Sequence, residues 1–340
     1  MRTVLVTAAG GDIGQGVLTS LSLLEEKIRV IGCDISARAA GPYLTDRGYL
    51  IPAAKQNQQA FIDRLIEICT AEKVDIVFVC HEDEQYAFAK NRDTFQSRCK
   101  AVVIVQPLAT LEIARDKALL YEKLAQTAVR VPVTIVGTDK LESLISAVGF
   151  PLVVKPRHSS GSRNFSIVSD RQTLLEKITL IAEPIIQEYI TNERDEEYTV
   201  GVFLDKNARA LGAIPILRTM RFGMTVWGMV DDYPDVVAVA TRAAETIGAV
   251  GPTNVQLRRD KKGALCVIEI NARISSSGVF RSRLGFNEAR ASIEYFLDGR
   301  QPDFAYTKAV VIRTWGDLIV PTDKFLQLEK DGMIDNQKNV

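Results

Sequence analysis

The stretch TNVQLRRDKKGALCVIEINAR, residues 253–273, predicts two β-strands joined by a turn at DKKG. Side chains two positions apart on a strand project from one face, so Glu269, Asn271 and Arg273 share a face, and Gln256 joins them if the hairpin register allows it. A carboxylate and two amide oxygens are hard donors that suit Mg²⁺. The arginine would hold a phosphate through its planar fork. The alternative is the solvated face of an edge hairpin, which predicts the same alternation.

Two lysines and a loop of small residues precede this hairpin. Lys155 ends an apolar strand, PLVVK, which places its ammonium at the rim of a pocket, and Lys117 lies near the start of a helical run, ARDKALLYEKL. A lysine suits non-bridging phosphate oxygens because its charge is compact. The loop HSSGSRN contains Gly161 and Arg163 and could fold over phosphates. Taken singly, each lysine also fits a solvated surface position, and the loop fits an ordinary turn.

A glycine-rich turn follows the first apolar run of the chain. In LVTAAGGDIGQG, residues 5–16, Ala9, Gly11 and Gly14 follow the G-x-G-x-x-G spacing with alanine in the first place, and Asp34 ends the second apolar run. This pattern is nearly a dinucleotide-binding fingerprint, and alone it would indicate an NAD-dependent oxidoreductase. The alternative is a tight turn in which small residues let the helix approach the strand.

The acidic segment HEDE comes at the end of the third predicted strand. Ligands of open α/β sheets gather at such strand ends, so these side chains could recognise a cationic or amine group. The alternative is a helix N-terminus whose acids favour the helix dipole. The residues concerned are His81, Glu82, Asp83 and Glu84.

The pattern of elements changes along the chain. Strand-like and helical runs alternate up to about residue 105, which predicts a parallel sheet wound with helices. Residues 106–126 are predicted as one amphipathic helix. Later strands, such as EEYTVGVFLD and ARALGAIPILR, are typical of antiparallel pairing and so of an α+β region. Residues 329–340 are expected to form a polar, loosely held tail.

The composition argues against several classes of partner. Lys plus Arg and Asp plus Glu number 42 each, so no basic excess indicates nucleic acid or an anionic membrane surface. No stretch approaches the roughly 20 apolar residues of a membrane span, and the short N-terminal apolar run lacks a cleavage-like end. Five scattered cysteines without a C-x-x-C pair, together with two histidines, predict a reducing, cytoplasmic compartment and no zinc site.

In their order along the chain, these motifs resemble the ATP-grasp superfamily, and most of all its carbamoyl-phosphate-synthetase-like branch. The matching elements are Lys117, Lys155, the loop SSGSR, the segments IIQEYI and EEYTVGV, and NVQ followed by VIEINAR. The resemblance reaches from the N-terminus to about residue 315. It implies a fold of α/β and α+β parts, with a Rossmann-like pre-ATP-grasp domain followed by a two-lobed ATP-grasp fold. The expected domains are 1–105 for the first, 106–190 for the small lobe, 191–320 for the large lobe and 321–340 for a C-terminal tail.

The resemblance implies ATP and Mg²⁺ as the cofactors. Glu269 and Asn271 would be magnesium ligands, with Gln256 as a further ligand, for instance to a second ion. Two ions are expected, with Mn²⁺ as an alternative metal. The N-terminal glycine turn would then report the fold and not a bound dinucleotide.

The resemblance also places the nucleotide. Arg273 and Lys155 would be the catalytic residues, with Arg273 at the transferred γ-phosphate and with Lys155 and Lys117 at the α- and β-phosphates. The loop that closes over the phosphates would consist of Ser160, Gly161, Ser162 and Arg163. The hinge that reads adenine, largely through backbone groups, would be Glu188, Tyr189 and Ile190. Either Glu196 or Glu197 would reach the ribose, and the sequence leaves that choice open.

The implied reaction is ATP-dependent activation of a carboxylate to an acyl phosphate, followed by attack of an amine, a thiol or another nucleophile, with release of ADP and phosphate. The chain has one such module and no glutaminase signature, which favours a stand-alone carboxylate–amine ligase for an amino acid or a small peptide-like substrate. We expect no nucleic-acid or membrane partner, and a homodimer is a possible assembly. Substrate carboxylates could meet Arg218, Arg221, Arg281 and Arg283. The alternatives are an NAD-dependent oxidoreductase and a non-catalytic ATP-binding regulator.

Overall fold

The computed structural model of the chain describes residues 1–158 and 164–336. The strands are β1 (Arg2–Val6), β2 (Ile28–Asp34), β3 (Arg47–Leu50), β4 (Ile76–Phe78), β5 (Val102–Ile104), β6 (Thr134–Val136), β7 (Leu152–Pro156), β8 (Ser166–Val168), β9 (Pro184–Glu188), β10 (Glu197–Leu204), β11 (Ala210–Arg221), β12 (Met224–Val230), β13 (Gly251–Arg259), β14 (Leu265–Asn271), β15 (Ala309–Ile312) and β16 (Met333–Asp335). The α-helices are α1 (Asp12–Ser22), α2 (Gln58–Glu72), α3 (Glu82–Lys90), α4 (Arg92–Arg98), α5 (Leu108–Arg115), α6 (Lys117–Ala125), α7 (Leu141–Val148), α8 (Arg171–Ile178), α9 (Pro234–Thr246), α10 (Gly278–Arg283), α11 (Glu288–Ser292) and α12 (Thr322–Asp331). A 3₁₀ turn spans Gly41–Tyr43 and a π-helical turn spans Ile293–Leu297.

The described residues divide into two compact units. The first consists of Met1–Leu108, Arg273–Thr307 and the described residues from Arg313 onward, and the second of Ala109–Ala272 and Lys308–Ile312. The chain therefore leaves the first unit after Leu108, returns to it at Arg273, and leaves it again at Lys308 to contribute one short strand to the second unit.

The first unit is built on a sheet with the strand order β16-β3-β2-β1-β4-β5. Strands β1 to β5 pair in parallel, and β16 runs antiparallel to β3. Successive residues of a strand enter different apolar clusters: Leu5 packs with Phe61 of α2, whereas Val4 and Val6 pack with Val17 of α1. Helices thus cover both faces of the sheet, and the predicted α/β class is confirmed.

The glycine-rich turn between β1 and α1 brings the helix close to the strand. A Cβ atom added at Gly14 would lie 2.3 Å from the carbonyl oxygen of Ala8, so only glycine fits there. Asp34, at the end of β2, is buried and accepts a 2.9 Å hydrogen bond from the Gly10 N–H group. The carboxylate that suggested a dinucleotide site therefore stabilises the turn itself.

The second unit contains two antiparallel sheets. The smaller has the order β6-β9-β7-β8, and the larger has the order β14-β13-β10-β11-β12-β15. Leu144 of α7 and Leu174 of α8 pack on the smaller sheet, and Ala240 of α9 packs on the larger one against Val200. The predicted α+β part, with antiparallel pairing, is confirmed.

The predicted single helix over residues 106–126 is wrong, because the structure has α5 and α6 with Asp116 between them. Asp116 has an extended backbone, and its carboxylate accepts hydrogen bonds from the N–H groups of Ala118 and Leu119. An aspartate in this position is an N-cap, which ends one helix and starts the next. As a result, Lys117 is the first residue of α6.

Residues 191–320 do not form one lobe, because residues 273–307 belong to the first unit. This segment packs on α1: the hydroxyl oxygens of Ser282 and Ser20 lie 2.8 Å apart, and Asn287 donates a 2.8 Å hydrogen bond to the Ser20 carbonyl oxygen. The amide and hydroxyl groups that make these contacts give no periodic signal in the sequence, so the return of the chain could not be predicted from it.

The expectation of a loosely held C-terminal tail is wrong for the described residues from Thr322 onward. They form α12 and β16, and β16 extends the edge of the parallel sheet. Leu328 and Ile334 are buried in a small apolar cluster, and Asp335 forms a 2.8 Å ion pair with Arg47. Buried apolar side chains, strand pairing and an ion pair together hold this otherwise polar segment on the sheet.

Candidate active site

The second unit contains a cavity of about 370 Å³. Its walls come from both sheets of that unit, with Val153 and Ile167 on the smaller sheet and Ile268 on the larger one. The end of β11, with Met220 and Arg221, and the turn that follows it, Phe222 and Gly223, also line the cavity. Most of the residues predicted for nucleotide and metal binding meet at this cavity. They are Lys117, Lys155, Glu188, Tyr189, Ile190, Glu197, Gln256 and Glu269.

The hairpin formed by β13 and β14 places Gln256 directly opposite Glu269. The register shifts immediately after this pair, so that Leu257 lies opposite Val267 and Ile268 is the extra residue of a β-bulge. A bulge places two successive side chains on the same side, and both Ile268 and Glu269 line the cavity. The register that the predicted metal site required is therefore present.

Asn271 occupies the end of the same strand. It pairs in register with Asn254 of β13, whose side-chain oxygen accepts a 2.7 Å hydrogen bond from the hydroxyl of Thr199. Both Glu269 and Asn271 are partly exposed, whereas Ile270 between them is buried. The alternation over these three residues agrees with the predicted polar face.

Glu269 and Gln256 offer one carboxylate and one amide oxygen on the cavity side of the hairpin. Hard oxygen donors that are few in number suit Mg²⁺, which keeps its other positions for water and phosphate oxygens. The donor set of the structure therefore fits the metal that the sequence predicts, and the ligand role of these residues stays a prediction.

Lys155 lies near the end of β7 and is 9% exposed. Its ammonium group donates a 3.1 Å hydrogen bond to the hydroxyl oxygen of Tyr121. Burial lowers the pKa of Lys155 to about 8; the charge of Glu269 opposes this effect, and that of Lys117 adds to it. A polyphosphate would restore the favourable environment that the buried ammonium group lacks.

Lys117 is also buried, at the first position of α6. Its backbone N–H group donates a 3.4 Å hydrogen bond to the carbonyl oxygen of Arg157 on the chain that continues β7. The two predicted phosphate-binding lysines therefore lie on adjacent elements, and both line the cavity.

The predicted adenine hinge lines the cavity, but Glu188 is engaged within the protein. Its carboxylate forms a 3.2 Å ion pair with Arg130, and its N–H group donates a 2.9 Å hydrogen bond to the Val133 carbonyl oxygen. Tyr189 lies beneath the guanidinium group of Arg258, which is 5.3 Å from the ring centre. The hinge is thus held from two sides by arginines that the sequence did not single out.

The structure distinguishes the two glutamates proposed for the ribose. Glu197 lines the cavity and accepts hydrogen bonds of 2.9 and 2.6 Å from Arg218. Glu196 instead accepts a 2.7 Å hydrogen bond from Asn192 and, among the described residues, is not part of the cavity wall. Glu197 is the first residue of β10 and pairs with Arg218 of β11 and Arg258 of β13, whereas Glu196 precedes the strand and is bonded to the segment before it.

The predicted arginines and loop residues fall into four groups. Arg273 belongs to the first unit, where it donates a 3.3 Å hydrogen bond to the Ile274 carbonyl oxygen. Arg218 is held by Glu197, and Arg281 forms a fully buried ion pair with Glu288, so neither is presented to a substrate. Arg221 is exposed and lines the cavity, and Arg283 is exposed in the first unit. The phosphate-loop residues Ser160, Gly161, Ser162 and Arg163 lie outside the described residues.

The acidic segment at 81–84 supports the start of α3. His81 accepts a 3.2 Å hydrogen bond from the Asp83 N–H group through Nδ1 and so caps the helix. Glu84 is buried and accepts a 2.6 Å hydrogen bond from the Thr7 hydroxyl. Burial raises the pKa of Glu84 to about 8, against the effect of that hydrogen bond. For these residues the structure favours the helix-terminus alternative.

Comparison with known protein families agrees with this geometry. Residues 114–277 match the family described as the ATP-grasp domain, and residues 4–103 match the PylC-like N-terminal domain. The chain belongs to the ATP-grasp superfamily. The predicted resemblance is therefore confirmed, and the NAD-dependent alternative gains no support from these matches or from Asp34.

This ATP-grasp chain is similar to parts of longer curated proteins. It is 21% identical over 329 residues to the multifunctional protein pyr1-3 of Dictyostelium discoideum, covering 87% of this chain and 14% of that protein. It is 24% identical over 216 residues to the carbamoyl phosphate synthase large chain of Rubrobacter xylanophilus, covering 56% of this chain and 20% of that one. The chain thus spans a fifth or less of the length of either relative.

Solved structures of similar fold include other ATP-grasp proteins. An N5-carboxyaminoimidazole synthetase from Staphylococcus aureus, crystallised with ADP, has a TM-score of 0.72 at 18% identity and covers 97% of this chain and 85% of its own. An L-amino acid ligase from Bacillus licheniformis has a TM-score of 0.68 at 20% identity, and the match covers 87% of this chain and 74% of the ligase chain. At these identities the likeness establishes a shared fold.

Within residues 1–158 and 164–336, no helix has the length and apolar character needed to cross a bilayer.

Proposed function

We propose that this chain is an ATP- and Mg²⁺-dependent ligase that joins a carboxylate to an amine. One observation carries the proposal: two buried lysines, Lys117 and Lys155, line the same cavity as the opposed pair Gln256 and Glu269. Cations for a polyphosphate and oxygen donors for its metal ion are the parts that phosphoryl transfer needs. Membership of the ATP-grasp superfamily supports the same activity.

The walls of the cavity suit the parts of a nucleotide. Val153 lies between Ile167 and Gln187 in the smaller sheet, next to the hinge at residues 188–190, and this apolar surface suits an adenine ring. Glu197 is the candidate for the ribose hydroxyl groups, since Arg218 holds its carboxylate at the cavity wall. Adenine would thus lie against the smaller sheet.

The charged residues suit the phosphates. Lys155 and Lys117 would neutralise the α- and β-phosphates. Mg²⁺ held by Glu269, Asn271 and Gln256 would supply charge neutralisation at the transferred phosphoryl group. The protein's own contribution is to hold these groups in place before the substrates arrive, which lowers the cost of reorganisation during the reaction.

In the proposed reaction a carboxylate oxygen of the substrate attacks the γ-phosphorus of ATP. The bond from that phosphorus to the bridging oxygen breaks, and ADP leaves with the electron pair. The amine nitrogen then attacks the carbonyl carbon of the acyl phosphate, phosphate leaves, and the amine loses a proton to solvent. This sequence needs no protein nucleophile, and exclusion of water protects the acyl phosphate from hydrolysis.

The proposed carboxylate substrate is an amino acid or a small peptide-like molecule. Arg221 supports this proposal as the candidate that meets its carboxylate, since its side chain is exposed and lines the cavity. A guanidinium group binds a carboxylate through two parallel hydrogen bonds.

The test is Mg²⁺-dependent release of phosphate from ATP with pooled amino acids and small carboxylates. The wild type is compared with Glu269→Gln, which keeps the shape of the side chain and removes its charge, and with Glu122→Gln, the same change at an exposed position of α6. We expect release above background in the wild type and in Glu122→Gln, and its loss in Glu269→Gln. Division of the active pool would then identify the substrate.

Two results would contradict the proposal. Equal release by Glu269→Gln and the wild type would overturn the metal assignment. If the melting temperature of the wild type did not rise with Mg-ATP and no phosphate were released, the ligase assignment itself would be wrong.

A further inference from the structure

The hydroxyl group of Tyr121 joins three elements beneath the cavity. It accepts the 3.1 Å hydrogen bond from the ammonium group of Lys155 on β7 and donates a 2.7 Å hydrogen bond to the carbonyl oxygen of Ile268 on β14. The side chain is 4% exposed, so water does not compete for these bonds. Tyr121 itself lies on α6, one helical turn after Lys117.

The direction of these hydrogen bonds is fixed by chemistry. A phenol has one proton to donate, and two acceptors lie near the Tyr121 hydroxyl. The Ile268 carbonyl oxygen is at 2.7 Å and Gln187 Oε1 is at 3.4 Å, so the proton goes to Ile268. An ammonium group can only donate. Burial raises the pKa of Tyr121, so its hydroxyl keeps the proton that the bond to Ile268 requires. The chain of bonds therefore runs from Lys155 through Tyr121 to Ile268.

Ile268 is the bulge residue that precedes Glu269. A bulge lacks regular ladder bonds at the extra residue, so its conformation depends on contacts from outside the hairpin. The bond from Tyr121 is such a contact, and it holds the segment from which the Glu269 carboxylate faces the cavity. One hydroxyl thus restrains both a phosphate-binding cation and the strand that presents the proposed metal ligand.

We propose that Tyr121 is a positioning residue for the nucleotide phosphates, acting through Lys155 and through the bulge at Ile268. This inference rests on the proposed function, since it assumes that Lys155 binds a phosphate. Tyr121 does not line the cavity among the described residues, and it influences the nucleotide only through these two partners.

The test uses Tyr121→Phe, which keeps the buried ring and removes only the hydroxyl group. The matched control is Tyr233→Phe in the same unit, because within the described part of the chain the buried Tyr233 hydroxyl has no hydrogen-bond partner. Two probes are compared by displacement of a fluorescent adenine nucleotide: Mg-ADP, which carries the phosphates, and adenosine, which lacks them.

We expect Tyr121→Phe to weaken Mg-ADP binding by about 5- to 10-fold, the effect of one ordinary hydrogen bond, and to leave adenosine binding unchanged. Tyr233→Phe should leave both unchanged. A purely structural role for Tyr121 predicts a different pattern, in which both probes weaken in parallel or only the melting temperature falls. Either of those results, or unchanged Mg-ADP affinity, would overturn the inference.

A double-mutant cycle with Lys155→Met tests the proposed route. If Tyr121 acts mainly through Lys155, Tyr121→Phe should weaken Mg-ADP binding in the Lys155→Met background by at most half as much as it does in the wild type. Fully additive effects would contradict this route. Failure of the proposed function and failure of this inference give different results. A wild type that does not bind Mg-ADP at all would refute the function. Equally tight binding by the wild type and Tyr121→Phe would refute only the role of Tyr121.

Discussion

Asp116 accepts two hydrogen bonds from the guanidinium group of Arg157, at 2.9 Å from Nε and 2.6 Å from Nη2. Asp116 immediately precedes Lys117, and Arg157 lies two residues after Lys155. The same carboxylate caps α6. One side chain therefore fixes the start of the helix that carries the first lysine and ties it to the strand that carries the second.

Asp116→Ala should lower the free energy of unfolding by about 2 kcal/mol, since it removes an N-cap and one partner of a largely buried ion pair. Asp116→Asn keeps a capping oxygen and should cost less. Burial alone would raise the pKa of Asp116, but Arg157 and the capped N–H groups lower it overall. The stabilisation by the charge is therefore present above about pH 4, the pKa of an unfolded aspartate, and is lost as the pH falls toward the lower folded value.

The measurement is urea denaturation of the wild type and both variants between pH 7 and pH 3.5. Asp170→Asn serves as the control, because Asp170 caps α8 through Thr173 at an exposed position. A difference between wild type and Asp116→Asn that did not shrink below pH 4 would show that the ion pair is not its source.

Lys155→Met should separate stability from nucleotide binding. Methionine fills a similar volume without a charge, and burial already disfavours the ammonium form of Lys155, so the free energy of unfolding should stay level or rise. Mg-ADP affinity should fall by about 10-fold or more, because a buried cation at the phosphates is lost. Thermal denaturation with and without Mg-ADP measures both effects. Lys123→Met, at an exposed position of α6, should change neither stability nor affinity. Normal Mg-ADP affinity of Lys155→Met would show that Lys155 does not bind the phosphates.

The sequence predicted the hairpin at residues 253–273 well, because alternation of polar and apolar residues fixes which side chains share a face. It did not predict the bulge at Ile268, since a bulge depends on the register between two strands. The sequence left the choice between Glu196 and Glu197 open for the same reason, since an alternating pattern does not say which of two adjacent residues meets the cavity. Pairing of β10 with its neighbours decides that question.

Tyr121 and the break at Asp116 were missed for different reasons. Tyr121 has the spacing of an ordinary core residue in a helix, and its hydrogen-bond partners come from strands distant in sequence. Asp116, in contrast, has a local signal that could have been used, because an aspartate before a run of helix formers is typical of an N-cap. Long-range contacts limit prediction in the first case, and a competing amphipathic pattern obscured the signal in the second.

Glu84→Gln should stabilise the protein increasingly as the pH rises from 5 to 8. Burial raises the pKa of Glu84 to about 8, so the folded state holds a proton that the unfolded state releases near pH 4.3. The wild type therefore loses up to about 1.4 kcal/mol per pH unit over this range, and an uncharged glutamine does not. Melting temperatures at pH 5, 6.5 and 8 measure the difference. Glu82→Gln, on the same helical turn at a partly exposed position, is the control for the effect of burial. If the difference in melting temperature between wild type and Glu84→Gln did not depend on pH, the raised pKa would be contradicted.

Phe222→Asn should weaken nucleotide binding without loss of stability. Phe222 and Gly223 form the two-residue turn between β11 and β12 with φ angles of 53° and 74°, a conformation that asparagine tolerates better than phenylalanine. The ring is 87% exposed and lines the cavity, so its removal should weaken Mg-ADP and adenosine binding alike by several-fold, unlike Tyr121→Phe. Ala208→Asn, at a φ of 58° in the turn before β11, controls for the backbone effect alone. Unchanged affinity for both probes would show that the exposed ring does not contact the nucleotide.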